Sequence, residues 1–284
     1  MILSVFLLST NAFSKIHEFE TTHLKSTGGT GVAGIFNEES AFLNPASLAF
    51  FNTSSAYAQK DSGKLINDGV FQPRPKALGF VLSDANPSLS GSLSYVNQEE
   101  DIYKRKRWGL TFSSPLAEKS AFGISVRQSI DENSLTKTSI KYYQTVLGVT
   151  HAIDEKLSVG IVAYDPFKSK GSETKAMVGF QYVLMSYITG SFDFGGDYYS
   201  DSISKTLLYK GSIQIKVLDD FFLRFGGFND KSRSEKGSGY GLAWNQPRLS
   251  FEFALKNTNR EKNLAINQSE SSFKETSFSG SLKF

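Results

Sequence analysis

The chain has no cysteine, which excludes a disulfide scaffold, a thiolate metal site and a cysteine nucleophile. Histidine is almost as scarce. His17, His23 and His151 are the whole set, too few for a multi-histidine metal centre. No apolar run reaches the roughly 18–20 residues of a membrane-spanning helix, which excludes a polytopic helical membrane protein. A formal net charge of +3 over 284 residues lacks the basic footprint of a nucleic-acid binder. Neither a metal nor a cofactor is expected. Glycine and phenylalanine, by contrast, are plentiful at 24 each, and the chain is 39% hydrophobic and 13% aromatic. That is too apolar for a disordered chain and ordinary for an all-β one.

Ile2 to Leu8 forms a short apolar block, and Ala12-Phe13-Ser14 follows it. The pair matches the core and the small-x-small cleavage site of a secretory signal. Residues 1–14 are therefore expected to be a signal peptide, with Lys15 as the mature N-terminus. No Lys or Arg precedes the block, so the start of a buried element is the alternative.

From Thr53 onward, segments of about ten residues alternate in polarity. In Leu249 to Lys256 the odd positions are Leu249, Phe251, Phe253 and Leu255, against Ser250, Glu252, Ala254 and Lys256. Period-2 alternation marks strands with one apolar and one polar face. Fourteen such segments are expected: 53–60, 77–83, 89–96, 107–114, 120–129, 138–152, 156–165, 174–184, 187–197, 204–218, 221–229, 238–245, 248–257 and 273–284. Short connections alternate with longer charged ones such as Asn97 to Lys106, Ile130 to Lys137 and Asn229 to Gly237. This is the pattern of an antiparallel transmembrane barrel with turns at one rim and loops at the other.

A soluble sandwich or propeller is the competing architecture. Against it, the apolar face is repeatedly aromatic: Phe80, Tyr95, Trp108, Phe112, Phe122, Phe180, Phe192, Phe251, Phe253, Phe278 and Phe284. Only much smaller barrels are filled by layers of their own side chains; facing lipid, such residues are ordinary. Tyr142, Tyr182, Tyr240 and Trp244 suit an interfacial girdle. The chain ends in a strand carrying Phe278, Leu282 and Phe284. Its terminal aromatic resembles the signal by which the barrel assembly machinery recognises bacterial outer-membrane barrels.

Before the first strand lies a Gly-rich stretch, residues 27–51. No Lys-Ser/Thr follows its glycines, so a phosphate-binding loop is disfavoured. A short helix over Glu38 to Phe42 capped by Asn37 is expected, ended by Asn44-Pro45-Ala46. Gly31-Val32-Ala33, an acid at Glu38 or Glu39, Ala41, and Asn44-Pro45-Ala46-Ser47-Leu48 together resemble the N-terminal region of the FadL-type long-chain fatty-acid transporters of the bacterial outer membrane. Related barrels, including one associated with type IX secretion, are similar too. The resemblance implies that residues 15–52 form a hatch inside a fourteen-stranded barrel of residues 53–284. Gly31, Ala33, Asn44, Pro45, Ala46 and Leu48 are its motif, and Asn44 is the expected anchor to the wall.

A charge facing lipid at mid-depth costs roughly 2–4 kcal/mol, so charged strand positions should face the lumen. That assigns Arg127, Asp193, Lys210, Lys216, Arg224, Glu252 and Lys256 inward, beside Ser90, Ser92, Ser94, Thr111, Ser113, Ser125, Gln181 and Gln214. Val81, Val162, Val183 and Phe222 are the apolar inward positions. The run Lys104-Arg105-Lys106-Arg107 is placed in a loop, where it could touch lipopolysaccharide phosphates. Asp193 and Glu252 look isolated, and no His lies on a strand near the outer rim, so catalysis is not expected. Two functions remain. One is passive uptake of small hydrophobic ligands, fatty-acid-like or aromatic. The other is a non-transporting structural or secretion-partner barrel with a plugged polar lumen.

Overall fold

The computed structural model describes residues 16–67, 70–71, 75–100, 102–169, 174–200, 202–262 and 270–284. The expected signal peptide lies outside the described residues. Fourteen long strands follow one another around a closed antiparallel ring. They are β1 Ser55–Asn67, β2 Lys76–Asp84, β3 Ser90–Glu100, β4 Tyr103–Ala117, β5 Ser120–Asn133, β6 Thr138–Ala152 and β7 Leu157–Tyr164. The second half comprises β8 Lys175–Leu184, β9 Ile188–Gly196, β10 Leu208–Lys216, β11 Phe221–Asp230, β12 Glu235–Asn245, β13 Leu249–Arg260 and β14 Ser271–Lys283. A two-residue strand, Val70–Phe71, folds back on β1. The ring closes where β14 pairs with β1, Ser55 opposite Lys283 and Asn67 opposite Ser271. Closure removes the open edges that would otherwise expose unpaired backbone groups.

Every alternating segment of the sequence is one of these strands, but several run further toward the long-connection rim. The stretches 97–106, 130–137 and 229–237 are not loops. Strands occupy most of each, and among the described residues 102, 134–137 and 231–234 lie outside them. Near that rim both faces become polar, so the hydropathy alternation fades while the backbone ladder continues. The basic run consequently lies on β4, where successive side chains point to opposite sides. Lys104 and Lys106 point outward; Arg105 and Arg107 are buried inside, which removes the two arginines from any outer-surface role. In the other direction, β10 is shorter than its expected 204–218, because 203–205 form a 3-10 turn.

The outer surface is apolar. Phe80, Trp108, Phe112, Phe122, Phe180, Phe192, Phe251, Phe253, Phe278, Leu282 and Phe284 all point outward and are exposed. Neighbouring rings meet across the ladder: Tyr95 and Trp108 at 4.6 Å, Phe225 and Tyr240 at 6.1 Å, Trp244 and Phe251 at 6.0 Å. A continuous apolar band of this size needs an apolar surrounding. Tyr182, Tyr240 and Trp244 belong to this surface, but Tyr142 does not. It faces inward, buried, and its hydroxyl donates to Asp131 Oδ2 at 3.2 Å. Parity on β6 decides this, since Tyr143 takes the outward place.

Residues 16–50 lie against the inward side chains and are mostly buried. A single-turn α-helix, α1 Thr22–Ser26, is capped by Thr21, whose hydroxyl accepts from Leu24 N. The sequence pattern gives no sign of it. The helix expected over 38–42 is a 3-10 turn, Glu38–Ala41, and Asn37 does not cap it. Asn37 instead donates to Ser55 Oγ at 3.0 Å. Asn44 opens a second 3-10 turn, Pro45–Phe50, by accepting from Ala46 N at 3.1 Å. Two apolar clusters seat the segment. One joins Leu24, Val32 and Leu43 to Val146, Val162 and Met177; the other joins Phe19, Ala41 and Phe42 to Tyr57, Val81 and Val96.

Candidate functional site

From the long-connection rim downward, the interior is organised around the charges of the N-terminal segment. His17 sits between Glu100 of β3 and Glu235 of β12, its ring nitrogens 3.0 Å from each carboxylate. Arg260 of β13 closes the cluster, 2.9 Å from Glu100 and 3.0 Å from Glu235. The imidazole also stacks on Phe273 at 5.6 Å. Burial disfavours the imidazolium, but Glu235 and Glu100 outweigh it and raise the His17 pKa.

Glu18 then turns toward Arg107, 2.6 Å away, with Arg105 at 3.6 Å and Arg127 at 3.7 Å. Burial opposes its charge, yet the three guanidiniums hold its pKa well below the usual carboxylate range. Glu20 pairs with Lys256 at 2.5 Å; against burial, Lys256 and Lys210 pull its pKa down to about 2. Lys25 bridges Asp61, at 3.3 Å, and Glu275. Between these groups a cavity of about 90 Å³ opens, lined among others by His17, Glu20, Lys25, Lys175, Lys210 and Glu235. Its wall mixes these charged groups with apolar residues such as Phe19, Phe228 and Phe273.

Below the cavity the contacts pass to backbone. Gly28 and Gly29 adopt left-handed φ of 64° and 81°, which glycine does without strain. The turn lets Gly31 N donate to Asp193 at 2.8 Å and Val32 N at 3.2 Å. Ser158 donates to the Ala33 carbonyl at 2.9 Å and Ser113 to that of Ala46 at 3.0 Å. Asn44 Nδ2 donates to Val32 O at 2.7 Å and to Thr150 Oγ1 at 3.0 Å. Pro45 opens the second 3-10 turn, and Leu48 is fully buried. Arg127 donates to the Phe42 carbonyl at 2.8 Å. Each of the fourteen strands contacts this segment; β2 does so where Gly79 leaves room for the Phe19 ring.

Arg127, Asp193, Lys210 and Lys256 therefore converge on the segment. Arg224 and Glu252 instead pair with each other at 2.7 Å, so Glu252 is not isolated, while Lys216 reaches only Asp219 in a rim turn. Sequence reasoning missed His17, Glu18, Glu20, Lys25 and Asp61 as interior groups and placed Arg105 and Arg107 in an outer loop. For the strand residues among these, alternation carried past the apolar positions would have found them. His151 is exposed and bonds Ser120 Oγ at 2.8 Å. Among the described residues no carboxylate orients that imidazole, as a catalytic pair would require.

No protein family described by sequence matches the chain, and no curated relative does either. Solved structures do. The chain is similar to the toluene transporter TodX of Pseudomonas putida (TM-score 0.71, 12% identity, covering 94% of this chain and 98% of that one). It is likewise similar to the toluene transporter TbuX of Ralstonia pickettii (0.71, 10%, 94% and 99%). A FadL homologue of Pseudomonas aeruginosa aligns with a TM-score of 0.62 at 12% identity, covering 93% and 98%. The chain has the FadL-type barrel fold. At these identities the likeness concerns the fold alone.

The titrations of the segment have a definite sign. Burial, with the Glu38 and Glu252 carboxylates added, pushes Glu39 up to about 8. Glu39 and His17 both hold protons more tightly in place than free in solution. Their contribution to holding the segment is complete at acid pH and is lost as pH rises through about 8 for Glu39 and through the raised value for His17. Glu18 and Glu20 act oppositely. Their contribution is present above the ordinary carboxylate range and is lost only as pH falls toward about 2. Protease cleavage within residues 16–52 of the purified barrel is therefore expected to increase between about pH 4.5 and about pH 8. Glu39→Gln should remove most of that increase; cleavage that stays flat over this range would contradict the assignment.

Proposed function

We propose that the chain is a bacterial outer-membrane channel for passive uptake of small hydrophobic molecules, closed in this conformation by residues 15–52 acting as a hatch. The domain division follows: a signal peptide over 1–14, the hatch, and a wall from residue 53 to 284. One observation supports the reading: residues 16–50 bond inward-facing side chains and backbone of the wall, while the wall is complete in its own ladder. Such a filler can move without unfolding the wall. The apolar exterior supports membrane placement, and Phe278, Leu282 and Phe284 on the last strand present an outward face for the assembly machinery. The resemblance of the fold to hydrocarbon channels supports the substrate class.

A second reading, a non-transporting structural or secretion-partner barrel, is favoured by the charge of the interior cavity. Uptake measurements separate the two. Cells expressing the protein should accumulate labelled monoaromatic hydrocarbons or fatty acids faster than cells carrying an empty vector. No difference across the panel would leave the structural reading standing.

Membrane placement has its own test. Phe253 points outward and Glu252 inward. Phe253→Arg should cost roughly 2–4 kcal/mol in lipid-refolding titrations near mid-depth, and Glu252→Arg should be harmful for a different reason, by repelling Arg224. A Phe253→Arg barrel as stable as wild type would contradict the placement.

A further inference from the structure

One stretch of the outer wall breaks the apolar pattern. On β13 the outward positions run Leu249, Phe251, Phe253, Leu255, whereas on β1 they run Ala56, Ala58, Lys60, Ser62, Lys64. Lys60 lies in register between Phe278 of β14 and Leu78 of β2. Lys64 is directly opposite Lys274 of β14, and Lys76 of β2 is opposite Ser62. All four lysines are exposed. Directly opposed like charges repel across a ladder, and none of the four has an ion-pair partner among the described residues. The acids of the same strands do not help, because Asp61 and Glu275 face inward to Lys25. Of the outward acids nearby, Glu99 lies between Lys76 and Lys104 in the ladder and is 3.2 Å from Lys104, which leaves Lys60, Lys64 and Lys274 without a facing acid, and Asp84 sits at the far, short-turn end of β2.

An ammonium at the edge of an apolar band keeps its charge by reaching the polar layer above it and finding an anion there. We propose that Lys60, Lys64, Lys76 and Lys274 bind the phosphates of lipid A, the bis-phosphorylated glycolipid anchor of lipopolysaccharide. The proposal rests on the outer-membrane placement given above. Lys60 and Lys64 are four residues apart on one strand, about 13 Å of chain. The seam thus offers separated cationic points suited to two phosphates rather than one. The Lys104–Arg107 run contributes less than its composition promises. Its arginines are inside, and Lys104 stands 3.2 Å from Glu99.

The test compares the wild type with a Lys60→Gln, Lys64→Gln, Lys274→Gln variant, each in phosphatidylcholine nanodiscs titrated with lipid A. Folding of both is checked first by the heat-modifiable gel shift, whose absence in the wild type would sink the membrane placement and not this site. Lipid A should bind the wild type, and affinity should fall about fivefold per lysine removed. Enzymatically dephosphorylated lipid A should show no such difference between the two proteins. Equal binding by wild type and variant would overturn the proposal. So would phosphatidylglycerol bound as tightly as lipid A, or nanodiscs in which two copies of the chain occlude the seam.

Discussion

Replacing Gly239 by valine is expected to evict residues 22–28 from the lumen while the wall still assembles. Gly239 points inward from β12, and a Cβ there would collide with the Lys25 carbonyl oxygen, then meet Ser26 O at 2.9 Å and Gly28 N at 3.0 Å. These are backbone atoms of a capped turn, which cannot swing aside as a side chain can. Gly226 stands in the same relation to Thr27, and a Cβ at Gly241 would meet the Ser26 side chain, so the segment has no free wall to slide onto. Valine itself suits a strand, and the pairing of Gly239 with Gly226 and Lys256 is made by backbone. In planar bilayers the variant should pass from the closed level of the wild type to a steady open conductance, with its heat-modifiable shift intact. A folded Gly239→Val barrel that stays closed would show that the segment does not occupy the lumen as described.

The second large effect belongs to Glu18. Its carboxylate is the shared counter-charge of Arg105, Arg107 and Arg127. Arg105 also pairs with Asp131 at 2.8 Å, and Arg107 holds Glu18 at 2.6 Å. Removing one partner of a buried pair leaves an uncompensated charge and costs about 3–5 kcal/mol. Glu18→Ala should lower the free energy of exposing the segment by an amount of that order, seen as a lower urea midpoint for its accessibility. Glu18→Gln, which still accepts hydrogen bonds, should fall between Ala and wild type. The readout is cleavage of the segment at increasing urea, below the unfolding of the wall. Equal midpoints for all three proteins would mean that Glu18 does not hold the segment.

The wall was legible because lipid on one side and a polar lumen on the other impose period 2 wherever the strand is within the apolar band. Phe251, Phe253 and Phe278 outward, with Arg127, Asp193, Arg224 and Lys256 inward, follow from that alone. The reading weakened where the band ends. Between Asn97 and Lys106 both faces are polar, so a ladder joining Glu99 to Lys104 looks like a charged loop. Tyr142 was misplaced for a related reason, since a tyrosine doublet gives no parity without its neighbours.

The segment inside the barrel was legible only as a motif. Its contacts are set by tertiary geometry between residues distant in sequence. His17 meets Glu235, and Lys25 meets Glu275; no local spacing encodes such pairs. Glu18, Glu20 and Lys25 carry the charges of an exposed linker, and only the ring of strands around them turns those charges into anchors. Asp193 was recognisable as an inward acid, but its partners are the backbone amides of Gly31 and Val32, which a side-chain inventory does not reveal.

Because the chain has no cysteine of its own, movement of the segment can be tested with one engineered pair. Thr22 Oγ1 and Ser277 Oγ lie 2.7 Å apart, both residues buried, one on α1 and the other on β14. A Thr22→Cys, Ser277→Cys barrel can be oxidised to tether the segment and reduced to free it. Uptake of a labelled monoaromatic hydrocarbon by cells carrying this variant is the decisive quantity. The account predicts uptake at the empty-vector level when oxidised, recovering to the wild-type rate on reduction. Uptake at the wild-type rate with the tether demonstrably closed would contradict passage gated by this segment.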